Sequence, residues 1–304
     1  MDTELISGWL SSYSIRTVKS YKRNIHEFLL YCEKNAIDIN NASYEQINKY
    51  KEECKKGLSV ASVANRICTI SSYYDYLECV GVLKNNPVRL IEKTDLKVIP
   101  YSTTPFLDAK SIKSILDAID IDTVSGSRDN AILILMFFNG IKASVVLTLK
   151  FKHFIEKFDG DYLSITKKDG FKEEIQLSSY FTSALDDYLL QDCRDILSED
   201  SYVFVRSHVD MNGEKSPEEA REQKPLTSRA FAMNLAGYAK SAGVSGVSLR
   251  AIHQSSAYYQ YRFGKSDDDI RYFMNHTKTI STRRFIRQCE KRDEKVKDEK
   301  SVIE

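Results

Sequence analysis

The sequence has no run approaching the eighteen or so apolar residues that span a bilayer. Its start, MDTELISGWL, lacks the basic flank and apolar core of a secretory signal. A cytoplasmic protein without membrane contact is therefore expected. The 6 cysteines form no CxxC pair and have no histidines at ligand spacing. This argues for free thiols and against a structural metal, so neither a metal nor a cofactor is expected. Charge of one sign is also missing, since 44 Lys and Arg oppose 43 Asp and Glu for a net charge of +1. A strongly basic chain would point directly to a nucleic-acid ligand, whereas a balanced one contacts phosphates only if its charges are segregated over the surface. With 42% hydrophobic and 29% charged residues, the 304-residue chain has the composition of a folded protein and the length of two domains.

Residues 1 to about 90 read as a helical unit. Trp9, Leu10 and Tyr13 begin a short helix, and a second runs from Thr17 through Tyr21, Ile25, Phe28 and Leu29 at helical spacing. Ser43 followed by Gln46 has the capping-box pattern. A longer helix carries Val63, Ile67, Ile70, Tyr74 and Leu77 on one face and ends near Gly81, with Asn85-Asn86-Pro87 closing the unit. The stretch EKTDLKVIPYSTTPF has no persistent period and two prolines, the composition of a linker. A capped helix is expected over 108–119. The apolar run within RDNAILILMFFNG predicts a helix buried on nearly all sides. Tyr162–Thr166 and Glu174–Leu177 read as a hairpin with a glycine turn, and Tyr202–Val205 as a further short strand. From Thr227 onward the pattern is helical again, ending in CEKRDEKVKDEKSVIE, either a solvated helix end or a segment that docks on a partner subunit. The fold class is thus mostly α with a small β-hairpin or sheet.

The tract from Ser248 to Phe285, SLRAIHQSSAYYQYRFGKSDDDIRYFMNHTKTISTRRF, holds Arg250, then Asn275-His276 after a predicted helix, then an aromatic nine residues beyond the histidine. That layout resembles the C-terminal catalytic box of tyrosine recombinases, the phage-integrase class of DNA strand-exchange enzymes. SIRTVKSYKRNIHEFLLYC and GLSVASVANRICTISSYYDYLECVGVLKNNP resemble the family's helical core-binding domain, which closes one side of a clamp around duplex DNA. RDNAILILMFFNGIKASVVLTLKFKHF is similar to its first catalytic box, DYLSITKKDGFKEEIQLS to the hairpin that delivers a catalytic lysine, and PLTSRAFAMNLAGYAKSAGV to the helix before the second box. The resemblance runs in order over nearly the whole chain. It implies a tyrosine-recombinase fold: a SAM-like core-binding domain over 1–91, a linker over 92–106, an α+β catalytic-like domain over 107–290 and a charged tail over 291–304.

Arginine, lysine, serine and asparagine suit phosphates and base edges. Arg16, Lys19, Lys22 and Arg23 on or before one helix, with Ser59, Ser62, Asn65 and Arg66 at the start of another, are candidate DNA contacts; a solvated polar face is the alternative use. In the catalytic boxes the resemblance assigns Lys142 the place of the first arginine, after Gly140 and Ile141, and Val145 the place of a glutamate. Lys168, or Lys167, is the hairpin lysine. Val247 occupies the place of a histidine three residues before Arg250; His253, three residues after, is a different position. Phe285 stands where the nucleophilic tyrosine is expected, and a phenyl ring has no oxygen with which to attack phosphorus.

Lys142, Val247 and Phe285 lead to the expectation of no catalytic residues and no enzymatic activity. Lys142, Lys168, Arg250 and His276 would then grip the DNA backbone. On that view the chain is a sequence-specific double-stranded DNA-binding protein acting as a prophage transcriptional repressor. Two other readings stay open: an active recombinase with a displaced tyrosine nucleophile or one donated by another subunit, and a protein interaction module without DNA contact. The partners expected are duplex DNA, a second copy assembled on it, and a protein regulator.

Overall fold

The computed structural model describes residues 2–91, 96, 105–166, 170, 172–192, 198–206, 224–274, 276 and 278–301. The chain divides into two compact units, residues 1–100 and 101–304. Of the linker expected over 92–106, only Leu96, Pro105 and Phe106 fall within the described residues. No helix among the described residues is long and apolar enough to cross a membrane.

The first unit is built from α1 (Asp2–Ser11), α2 (Ile15–Lys34), α3 (Tyr44–Lys55) and α4 (Val60–Cys79). Helix α4 organises it: Val63, Ile67, Ile70, Tyr73, Tyr74 and Leu77 recur at three- and four-residue intervals and are all fully buried. The two tyrosines bury their rings and satisfy their hydroxyls, Tyr73 donating to Asn40 Oδ1 and Tyr74 to the Ile39 carbonyl. Ser43 and Gln46 form the expected capping box at the start of α3. Helix α1 departs from expectation, because it begins at Asp2 and ends before Tyr13. The Ser11 and Ser12 hydroxyls donate to the Gly8 and Trp9 carbonyls, satisfying acceptors at the end of the helix. Tyr13 instead packs its ring edge-on against Trp9 and Tyr21.

The second unit is centred on α6 (Val124–Phe138), which follows α5 (Ala109–Asp117). From Ala131 to Met136 every α6 side chain is at most 1% exposed, as the unbroken apolar run implies. Arg128 and Asp129 in the same helix are buried as well. Asp129 accepts from Arg128, from Asn234 Nδ2 at 2.7 Å and from the Tyr238 hydroxyl at 3.0 Å, while Arg128 Nη1 donates to the Val205 carbonyl at 2.9 Å. Two charges can sit in this core because each is paired and hydrogen-bonded.

Beyond α6 come the short α7 (Ala143–Val146) and a three-stranded antiparallel sheet in the order β1 (Phe154–Lys157), β2 (Gly160–Thr166), β3 (Lys172–Gln176). The expected hairpin is β2–β3; strand β1 is an addition, short and half exposed, with little hydrophobic signal of its own. Leu163, paired with Phe154 and Ile175, seals the inner face. The strand expected at Tyr202–Val205 is not one. Tyr202 and Val205 make isolated bridges to Lys150 and Pro225, and the buried Val203 and Phe204 reflect core packing without a ladder. Helix α8 (Ser179–Asp192) packs on α6, followed by α9 (Ser228–Ser241), α10 (Leu249–Arg262), α11 (Asp267–Phe273) and α12 (Thr279–Ser301). Asp293 on α12 accepts hydrogen bonds from the Tyr258 hydroxyl and Arg262 on α10, so the charged tail folds back on its own chain at that point.

Replacing Asp129 with alanine strands the Arg128 guanidinium in the core. Urea unfolding should show a loss of roughly 3–5 kcal/mol.

Candidate functional site

Helix α6 stops at Asn139, and the chain turns through Gly140 with φ +65°. A Cβ at Gly140 would lie 1.8 Å from the Phe273 ring of α11. Both the left-handed turn and the ring seated over the backbone therefore require glycine. The turn delivers Lys142 to the surface ahead of α7, where its Nζ donates to the Met274 carbonyl at 3.1 Å. Phe273 also stacks on His253 of α10, with 6.4 Å between ring centroids and 19° between planes.

His253 is 6% exposed, and its Nε2 has no hydrogen-bond partner among the described residues. Burial, then the charge of Lys142 and the proximity of His276, push its pKa down to about 4; a hydrogen bond with the Gly140 backbone acts in the opposite direction. His276, half-buried between α11 and α12, is held through Nδ1 by the Thr282 hydroxyl at 3.1 Å. Its pKa is also lowered, by burial first and Lys142 second. Arg250 is exposed in the first turn of α10, three residues before the buried His253. Ser248 caps that helix by accepting from the Ala251 N–H.

Lys142, His253 and His276 thus come together, with Arg250 on the adjoining turn. Sequence spacing had set His253 apart. The missed signal was its three-residue offset from Arg250, which on a helix means neighbouring rather than separate. Val247 and Val145 are half-buried and pack on the hydrophobic core of the second unit. Phe285 is buried in a separate aromatic cluster: it meets Phe106 edge-on at 5.8 Å, and Phe106 stacks on Tyr258 at 4.8 Å. Lys167 and Lys168 lie outside the described residues.

In the first unit Lys19, Lys22 and Arg23 are exposed along one face of α2, and Ser59, Ser62 and Asn65 are exposed at the start of α4. The side chain of Arg16 lies outside the described residues. Arg66 is engaged internally: it donates to the Tyr50 hydroxyl at 3.2 Å and pairs with Glu27 at 3.7 Å.

Residues 10–79 match the phage integrase N-terminal SAM-like domain. The tyrosine recombinase XerC of Staphylococcus saprophyticus is 22% identical over 276 residues, covering 90% of this chain and 86% of that protein. XerC of Bacillus pumilus is 28% identical over 204 residues, 64% of each chain, so that match spans less than two thirds of the relative. XerD of Listeria monocytogenes is 26% identical over 239 residues, 76% of this chain and 73% of the relative. Among solved structures, the XerH site-specific recombinase bound to a palindromic difH substrate in a post-cleavage complex aligns with a TM-score of 0.71 at 14% identity, over 93% of this chain and 79% of that one. The lambda integrase dimer bound to a COC' core site aligns with a TM-score of 0.61 at 15% identity, over 92% and 94%.

The fold is that of the tyrosine recombinases. Its N-terminal domain matches the phage integrase SAM-like kind, and 90% of the chain is similar to a tyrosine recombinase. The expectation that it is not an enzyme is overturned here. It rested on Lys142, Val247 and Phe285 taken together, whereas the XerC and XerD relatives, one of them matched along 90% of the chain, are named as recombinases, an enzyme class.

The depressed pKa of His253 has a consequence for stability. Above the ordinary value of 6.5 the ring is neutral both folded and unfolded, and the buried arrangement contributes in full. As pH falls from 6.5 to about 4 the unfolded ring takes up a proton that the folded one does not, so stability falls; below that it levels off. Urea midpoints measured across this window should decline with acidification, and His253→Gln should remove that component of the decline.

Proposed function

We propose that the chain is a DNA recombinase that grips duplex DNA through its phosphates and acts at a defined DNA site. The observation that carries this reading is the grouping of Lys142, His253 and His276 around the Gly140 turn, with Arg250 exposed at the start of α10. A guanidinium binds two phosphate oxygens at once, an ammonium adds a point charge, and the start of α10 favours an anion. The exposed Lys19, Lys22 and Arg23 of α2, with Ser59, Ser62 and Asn65 of α4, supply further groups of the kinds that position a duplex. The solved relatives include a recombinase on its palindromic substrate and a dimer on a core site, and assembly as two copies on DNA follows as part of this proposal. The narrower expectation of a prophage repressor is not carried forward, since the relatives' names point to strand exchange.

Strand transfer needs an attacking oxygen. Phe285 offers none, and the Tyr258 hydroxyl beside it donates to Asp293. The attack therefore falls to a displaced tyrosine on this chain or to one from a second copy. Nicked suicide duplexes carrying the cognate site test this directly. The expected product is a covalent adduct on one tyrosine, mapped by mass spectrometry and abolished by its Tyr→Phe change. Intact binding without any adduct would remove strand transfer from the proposal.

Duplex binding should weaken steeply with salt. Arg250→Ala and Lys142→Ala should each weaken it across all sequences and reduce the salt slope by about 1. Affinity independent of salt, measured by fluorescence anisotropy, would exclude phosphate contacts.

A further inference from the structure

His253 is left without a role by the family resemblance, yet it is the most constrained polar side chain in the site. Its ring is pinned by Phe273 on one face and tied to the Gly140 backbone, and Nε2 is buried with no partner among the described residues. Unpaired buried polar atoms are uncommon, because each forfeits its hydration without recompense. The two remedies are a hydrogen-bond donor from outside or a proton with an anion to accept it. Val247, the other position from which a histidine is expected to serve the site, packs its side chain against the core and has no proton to give.

We propose that His253 is a proton-binding contact of the DNA phosphate site: neutral in the free protein, it takes a proton from solvent as a backbone phosphate docks beside Lys142 and Arg250, and donates it from Nε2 to a non-bridging oxygen. This rests on the duplex-DNA reading above. The neutral ring presents only a lone pair at Nε2, which a phosphate oxygen cannot accept from. The protonated ring presents an N–H, and charge-assisted hydrogen bonds to phosphate are among the stronger kinds. The charged and titratable groups acting on the ring are Lys142 ahead of α7 and His276 between α11 and α12; Arg250 precedes it by three residues on its own helix, and from α11 it meets the uncharged Phe273. In the free protein the nearby ammonium and the burial oppose protonation. A duplex brings several phosphate charges within screening distance, reversing the local field. No covalent bond forms or breaks in this step; one proton moves from buffer to Nε2 and returns when the DNA leaves.

The test uses the full chain and a fluorescein-labelled random-sequence duplex at fixed ionic strength, with affinity measured over roughly pH 5 to 8, the range in which histidines titrate. Wild-type binding should tighten as pH falls. His253→Gln, which keeps a polar side chain without the titration, should flatten that dependence and weaken binding near pH 6 by about tenfold, while leaving affinity near pH 8 within about twofold. His276→Gln serves as a comparison, since that ring also lies near Lys142. A His253→Gln profile matching wild type would overturn the proposal.

If that variant fails to fold, the His253 ring is followed by NMR in the wild-type protein with and without duplex. Its titration midpoint should rise by about three units on binding, the shift that a tenfold effect near pH 6 requires, and an unmoved midpoint would overturn the assignment. Failure of the wild-type protein to bind duplex at any pH would defeat the DNA reading itself. Binding with an unchanged His253 would defeat only this inference.

Discussion

The site depends on one steric constraint, the Phe273 ring seated over a backbone that has no side chain at Gly140. Because that ring occupies the space a Cβ would need, α11 can approach the end of α6 closely enough for the Met274 carbonyl to hold Lys142. The same ring has a second surface, against which His253 lies. A single glycine thus fixes three elements distant in sequence: the turn before α7, the middle of α10 and the end of α11. The positive φ and the close ring contact make that residue irreplaceable on two independent grounds.

Around this centre the protein separates charge used for support from charge left for a ligand. Arg128 and Asp129 are spent internally, tying α6 to α9 and to the Val205 carbonyl. Arg66 is likewise held by Tyr50 and Glu27 in the first unit. Arg250, Lys19, Lys22 and Arg23 remain exposed, and Lys142, also exposed, is held by the Met274 carbonyl. A chain with almost no net charge can in this way still present basic surface, because its arginines and lysines are not equivalent once folded.

Much of the helical framework was legible in the sequence because its causes are local. The apolar spacing of α4, the Ser43–Gln46 cap and the continuous run in α6 each depend on residues within a few turns. The features that were not legible depend on partners far away. Strand β1 exists because β2 accepts it, and the burial of Val203 and Phe204 imitates a strand without a neighbour to make one. The candidate site divides along the same line. Lys142, Arg250 and His276 stand out from their motifs, but the place of His253 depends on Phe273, and the internal engagement of Arg66 on Glu27 of another helix. Positions 142, 247 and 285 mark the limit of arguing from a few residues: the missing hydroxyl at 285 is plain, but a relative matched along 90% of the chain changed what could be concluded from the three.

Phe285 has a structural partner in Phe106, at the opposite end of the second unit, and the neighbouring Leu107 N–H donates to Ser255 Oγ across 148 positions of sequence. Phe106 and the Leu107 N–H therefore find these partners on α10 and α12. On the ribosome the Phe106 ring must wait for them until α12 has emerged. Contacts of such long sequence separation close slowly and leave apolar surface open to other chains meanwhile. The first unit, whose helices meet near neighbours, is free of that delay and can complete its core while the second is still being made.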